Sequence, residues 1–216
     1  SIFYGLGKTN YMLFESVIID FLRLLPGNKL LAEKKQVREL LAQKRRLLTK
    51  EEIAKQSALI VATLEQMPVF QSAKTILIYY PTHNEVDVLS LIKKHKKTKT
   101  FLFPVTHRSS MDACPYEGNA KMHRGRYNIP EPTTAPFKGQ IDLIIVPGVG
   151  FDKDGHRLGR GGGYYDKFIA SVNKKTKLIG VGYDFQLIEE VTANRRDKIM
   201  DYIVTPTAGE IKIKRD

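Results

Sequence analysis

Arg157-Leu158-Gly159-Arg160-Gly161-Gly162-Gly163-Tyr164-Tyr165-Asp166 places two guanidinium groups, four glycines, two phenols and a carboxylate in one uninterrupted run. Glycine carries no Cβ, so its backbone N–H groups can approach an anion closely. Arginine forks onto phosphate oxygens, and a helix opening near Tyr164 would add the positive end of its dipole. The two tyrosines offer flat faces to an aromatic ligand, and Asp166 is an oxygen donor suited to Mg2+. The chemistry implied is a phosphate loop with a metal ligand and a stacking platform attached. The same letters also suit a surface turn followed by a packing helix, so the flanking sequence has to decide.

That flank is Ile141-Asp142-Leu143-Ile144-Ile145-Val146, a short β-branched run closed by Pro147 and Gly148, as expected of a strand buried on both faces. Loops leaving the carboxyl ends of such strands are where α/β proteins hold ligands. Two common nucleotide motifs do not fit. A Walker A loop needs Lys and a hydroxyl after its second glycine, and Gly150 to Gly155 is followed by His156 and Arg157. The dinucleotide fingerprint follows its strand directly, whereas a polar loop separates Val146 from the glycines here.

The elements that must position this run read as alternating helices and strands. Met12 to Leu25 has an apolar face and stops at Pro26-Gly27-Asn28. A basic helix follows from Glu33 to about Leu48. Thr49-Lys50-Glu51-Glu52 forms a capping box for a helix reaching about Gln66. Strands are expected over Thr75–Tyr80, Thr100–Val105, Ile141–Val146, Leu178–Tyr183 and Tyr202–Val204. Helices are expected over Val86 to about Lys97, Tyr164 to about Val172 and near Gln186–Val191, and 108–138 should be irregular with two short strands. The alternation predicts a three-layer, Rossmann-like α/β domain with a mostly parallel sheet and helices on both faces.

Composition sets outer bounds. The chain has 216 residues, 42% hydrophobic and 27% charged, which is ordinary for one globular domain. The single cysteine, Cys114, cannot form an internal disulfide and fits a reducing, cytoplasmic setting. The five histidines lack zinc-site spacing, and no G-x-S-x-G elbow is present. Met12–Leu25 is too short and charged to span a membrane and lacks a signal-peptide cleavage pattern. A net charge of +12 raises nucleic acid as a partner. However, Lys93–Lys99 reads as a helix end and Lys174–Lys177 as a solvated turn, with no interleaved aromatics. The cations from Lys34 to Arg46 are those best placed to meet a small polyanion.

The stretch Val146-Pro147-Gly148-Val149-Gly150-Phe151-Asp152, with Asp154 to Asp166 after it, resembles the signature of the 5-formyltetrahydrofolate cyclo-ligase family. Weaker echoes extend the resemblance from about Lys34 to Thr205: Lys34-Lys35-Gln36-Val37-Arg38, Asn84-Glu85, Asn128-Ile129-Pro130-Glu131-Pro132, and Asp197 ahead of Ile203. Residues 1 to 30 lie outside it, as an extension before a cyclo-ligase-like domain over 31–216. The resemblance implies ATP as co-substrate, Mg2+ as cofactor and a folate that can carry a polyglutamate tail. It assigns ATP to Lys34, Arg38, Arg157, Leu158, Gly159, Arg160, Gly161, Gly162, Gly163, Tyr164 and Tyr165. Folate falls to Tyr80, Glu85, Tyr127, Arg160, Gly161, Gly162, Gly163 and Tyr164, with Glu85 reading the pterin N–H edge.

By the same resemblance Arg160 and Tyr165 are catalytic, and Asp166 and Asp197 are metal ligands. Tyr127 stands where some relatives carry Trp. The expected protein is a monomer with no membrane contact and no nucleic-acid partner. Read without the resemblance, Lys34 and Arg38 are a solvated basic face and Glu85 a surface carboxylate. A sugar-phosphate or CoA-ester enzyme on a similar scaffold, or a basic nucleic-acid-binding protein, then stays open.

Overall fold

Strands β1 (Thr75–Leu77) and β6 (Leu143–Pro147) lie side by side at the centre of a seven-stranded sheet, and each is apolar on both faces. In the computed structural model, which describes residues 29–192 and 197–214, Leu143 and Ile145 of β6 face one core. Ile144 and Val146 face the other. The period of two thus feeds both layers from one strand. The sheet order is β11-β10-β9-β6-β1-β2-β3. Here β2 is Thr100–Thr106, β3 Met111–Pro115, β9 Lys177–Val181, β10 Tyr202–Thr205 and β11 Gly209–Lys212. The five inner strands are parallel, and β3 and β11 close the edges antiparallel. Taken in chain order, the inner strands run 2-1-3-4-5, so the order reverses between β1 and β6. Ligands of open α/β sheets bind at that reversal, beyond the carboxyl ends of the strands.

Helices cover both faces, as expected. One core takes Ile60, Val61 and Leu64 from α2 (Lys50–Gln66), Phe70 from α3 (Pro68–Ser72), and Leu91 and Ile92 from α4 (Ser90–His95). The other takes Ile169 from α5 (Tyr164–Ser171). The capping box that starts α2 is present: Glu52 N–H donates to Thr49 Oγ1 at 3.1 Å and Thr49 N–H to Glu52 Oε2 at 2.8 Å. Helix α1 (Lys29–Arg46) stands apart from these layers and packs Val37 and Leu41 onto Val149, Leu158 and Val191.

Several elements differ from expectation for local reasons. Helix α4 starts at Ser90 rather than Val86. Asp87 N–H donates to Ser57 Oγ at 2.9 Å, and the Asp87 carboxylate accepts from Leu89 N–H at 2.9 Å, so that turn is committed elsewhere. No helix forms over Gln186–Val191. A 3₁₀ turn at Asp184–Gln186 is followed by Ile188 N–H donating to Phe151 O at 2.8 Å. Residues 108–138 hold three strands, adding β4 (Met122–Arg124) and β5 (Pro130–Pro132) as a hairpin. The loop after β6 itself contains a small hairpin, β7 (Gly150–Phe151) with β8 (Arg157–Leu158). The helix expected over Met12–Leu25 lies outside the described residues. No helix among the described residues is long and apolar enough to cross a membrane.

Candidate active site

Three segments meet at the β1/β6 reversal. The segment after β1 brings Tyr80, Thr82 and Glu85. The β7–β8 hairpin after β6 brings Arg157 and the glycine run, which ends in α5. Helix α1 brings Arg38, whose Nε donates to Gly159 O at 2.8 Å and ties the helix to the run. Gly161 and Gly163 hold φ of 101° and 66°, the left-handed region that a side chain adopts only with strain. A Cβ at Gly163 would meet nothing within 4 Å, so packing does not demand glycine there. The backbone conformation does, and Gly163 directly precedes α5. Gly163 supplies no capping side chain to that helix, which leaves its first turn suited to an anion.

Charged pairs line this loop. Arg157 is buried: its Nη2 donates to Asp166 Oδ2 at 3.0 Å and its guanidinium lies 5.6 Å from the Tyr165 ring centre. Arg160 reaches across to the β1 segment, donating from Nη2 to Glu85 Oε1 at 2.6 Å and to Thr82 Oγ1 at 3.0 Å. Glu85 Oε2 accepts from Thr82 N–H at 3.0 Å, and Arg45 of α1 stands 3.8 Å from Oε1. Glu85 therefore faces the glycine run, with its carboxylate held by cations rather than open. Lys34 and Asp197 form an ion pair at 3.7 Å. Leu158 lies in the core with Leu41, so only its backbone can face a ligand.

The tyrosines divide their work. Tyr164 Oη lies 3.1 Å from Tyr127 Oη, with the rings edge to face at 6.5 Å. Tyr127 is exposed at the turn between β4 and β5, and its φ of 65° costs about 1 kcal/mol for a residue with a Cβ. Strain of this kind concentrates at ligand sites. Tyr80 packs on Phe103 with ring centres 6.1 Å apart. Tyr165 points inward. Burial, and next the Glu85 carboxylate, push its phenol well above the ordinary tyrosine range, so it is a neutral donor at physiological pH.

Among the described residues, the buried side-chain polar atoms that lack a hydrogen-bond partner are Arg45 Nε, Arg157 Nε and Tyr165 Oη. All three belong to this neighbourhood. Unsatisfied buried donors are rare in folded proteins and need a reason; donors waiting for a ligand supply one. Sequence does not distinguish Arg45 from its neighbours in the basic helix, because Lys44, Arg45 and Arg46 look alike and only burial separates them.

Asp152 is a second residue without an assigned role. It is fully buried, and its carboxylate accepts from Asp154 N–H, His156 N–H and Val191 N–H at 3.0, 2.9 and 2.9 Å. His156 Nδ1 lies 3.0 Å from its Oδ2. Asp152, Asp154 and His156 also sit close enough to ligate an ion, but these hydrogen bonds already account for both oxygens of Asp152. No such three-residue cluster among the described residues includes Asp166 or Asp197.

Comparison with known proteins identifies the family. The model of the 5-formyltetrahydrofolate cyclo-ligase family matches residues 31–206. The mouse 5-formyltetrahydrofolate cyclo-ligase is 28% identical over 187 residues, covering 79% of this chain and 92% of that protein. The Escherichia coli K12 enzyme of the same name is 28% identical over 178 residues, covering 78% and 97%. Among solved structures, an Aquifex aeolicus 5,10-methenyltetrahydrofolate synthetase superposes with a TM-score of 0.75 at 30% identity, over 85% of this chain and 94% of that one. A Mycoplasma pneumoniae 5,10-methenyltetrahydrofolate synthetase gives 0.67 at 28%, over 80% and 98%. The match runs from the helix that braces the glycine run through the five parallel strands, and it places this chain in the 5-formyltetrahydrofolate cyclo-ligase family.

Proposed function

We propose that the protein cyclises 5-formyltetrahydrofolate to 5,10-methenyltetrahydrofolate with consumption of ATP and release of ADP and phosphate. One observation carries this reading. Arg160, on the proposed phosphate loop, touches Glu85, on the proposed folate side, at 2.6 Å. The phosphate loop and the folate side therefore come within the span of one side chain, the proximity that transfer from a γ-phosphate to a formyl oxygen needs. The catalytic unit is assigned to residues 31–216, acting as a monomer in a reducing, cytoplasmic compartment.

The formyl group on N5 is an amide and a poor electrophile. Its oxygen attacks the γ-phosphorus, an O–P bond forms, and the bond to the β-phosphate oxygen breaks to release ADP. N10 then attacks the activated carbon and loses its proton, and phosphate leaves with the former formyl oxygen. Both steps move negative charge across the loop, so positioning and electrostatics supply most of the catalysis. Arg160 and the N–H groups of Gly161 to Gly163 bear on the transferred phosphoryl group, with Lys34, Arg38, Arg157 and the backbone from Leu158 to Tyr165 on the rest of the triphosphate. Tyr165, neutral and unpartnered, donates to an oxygen of the transferred phosphoryl group, where negative charge gathers. Tyr80, Tyr127 and Tyr164 hold the pterin, and Glu85 accepts from its N–H edge.

Asp166 fits a hard cation: Arg157 engages Oδ2, and Oδ1 takes part in no hydrogen bond among the described residues. With Asp197, it would hold Mg2+, which when bound neutralises charge on the phosphate oxygens.

The reading is tested by incubating purified protein with 5-formyltetrahydrofolate and Mg2+, with and without ATP, and following the methenyl chromophore. Product should form only with ATP; a folded protein that forms none, or forms it without ATP, overturns the assignment. Tyr165→Phe is a sharper probe. Removing an unpartnered buried hydroxyl should leave thermal stability unchanged or raise it by about 1 kcal/mol. The loss of a donor to the transferred phosphoryl group should lower kcat by about 10²-fold. Full activity in that variant would take the hydroxyl out of the mechanism.

A further inference from the structure

Glu85 is served by two arginines that differ in everything but charge. Arg45 approaches from α1 at 3.8 Å with its side chain 8% exposed, and Arg160 approaches from the glycine run at 2.6 Å with its side chain 46% exposed. Around Arg45 the chain is locked. Asn84 Nδ2 donates to Arg45 O at 3.2 Å, and Tyr183 Oη donates to Asn84 O at 3.0 Å. His83 and Asn84 hold successive left-handed conformations, φ 50° and 60°, which turn the chain immediately before Glu85. Such strain persists only where the surroundings enforce it. Arg45 cannot leave this packing, whereas Arg160 can swing away without opening the core. Arg160 also stands directly before Gly161, at the edge of the loop that would cradle phosphate.

We propose that Arg45 is the fixed counter-ion that positions Glu85, and that Arg160 is a displaceable one which a bound triphosphate draws off Oε1. The inference rests on the reading of the glycine run as the phosphate cradle and Glu85 as the folate acceptor. In the free protein, Arg160 blocks the oxygen that the pterin N–H edge needs. A triphosphate offers Arg160 a denser anion than one carboxylate, and the vacated oxygen becomes the folate's acceptor. Arg45 keeps the largely buried carboxylate balanced throughout, so Glu85 is not left uncompensated when Arg160 moves. Nucleotide then raises folate affinity, and by linkage folate raises nucleotide affinity by the same factor.

The test is calorimetric titration of 5-formyltetrahydrofolate into the Mg2+-containing protein, with and without the non-hydrolysable β,γ-methylene analogue of ATP. The wild-type Kd should tighten about tenfold when the analogue is present, within the usual range of coupling. In Arg160→Gln the ratio of the two Kd values should fall to about one, whatever that substitution does to each affinity alone. Arg45→Met should weaken folate binding about tenfold even with the analogue bound, while analogue affinity stays within about twofold, and Arg45→Lys should recover part of the loss. Both ligands binding to wild type without coupling, or coupling that survives in Arg160→Gln, overturns the proposal. A wild-type protein that binds the analogue but no folate in either arm overturns the assigned reaction itself, and the displaceable arginine with it.

Discussion

Asp166→Asn is expected to lower ATP-dependent turnover by about 10³-fold, the scale of removing one electrostatic contact to a reacting phosphoryl group, while the protein stays folded. Asp166 faces two ways. Its Oδ2 accepts a hydrogen bond from Nη2 of buried Arg157 at 3.0 Å, and its other oxygen is the one proposed to ligate Mg2+. Asparagine keeps a carbonyl for Arg157 and loses the charge. Breaking a fully buried pair would cost about 3–5 kcal/mol, but the Asp166 side chain is 24% exposed, so hydration limits the loss here. The consequence for stability should be a fall of about 1–2 kcal/mol on thermal unfolding. The decisive readout is the Mg2+ requirement. In the variant the concentration for half-maximal activity should rise, because one anionic ligand is gone. Near-normal turnover with an unchanged Mg2+ dependence would remove Asp166 from the metal site and leave it as the partner of Arg157 alone.

The reach of sequence reasoning in this molecule follows from how local each determinant is. The all-apolar run Leu143 to Val146 announced a strand buried on both faces, and Thr49 with Glu52 announced the start of α2, because each signal is complete within a few residues. The β7–β8 hairpin was not legible. Its strands pair over only two residues each, and the acceptor that fixes the intervening loop also binds Val191, far along the chain. The late start of α4 likewise depends on Ser57 in another helix.

The site divides in the same way. The glycines, Arg157, Arg160 and Asp166 are contiguous, so their joint chemistry could be seen at once. Tyr164 and Tyr165 are neighbours of identical type, yet one meets Tyr127 near the surface and the other buries an unpartnered hydroxyl, a split that only the helix phase decides. That Glu85 and Arg160 touch could not be seen, since they lie on loops after different strands and meet only because β1 and β6 are adjacent.

Asp152 shows how the site depends on a residue that touches no proposed substrate, and its replacement by alanine should be the most damaging to the fold. Four donors converge on that carboxylate: the N–H groups of Asp154, His156 and Val191, and the His156 ring. The Val191 N–H is buried and has no route to water, so its isolation alone costs about 1–3 kcal/mol. With the loop donors partly rehydrated, Asp152→Ala should lose about 3 kcal/mol in denaturant unfolding. Asp152→Asn should recover little. Its amide would present N–H to the Val191 N–H, and a backbone donor cannot become an acceptor, whereas the His156 ring can change tautomer. Turnover should fall in step with stability, because Phe151 pairs with Arg157 across the hairpin and Arg157 holds Asp166. Opposite behaviour is equally readable. A variant that keeps its unfolding midpoint, loses activity and no longer binds a divalent cation by calorimetry would make Asp152, with Asp154 and His156, a metal ligand rather than the brace of the hairpin.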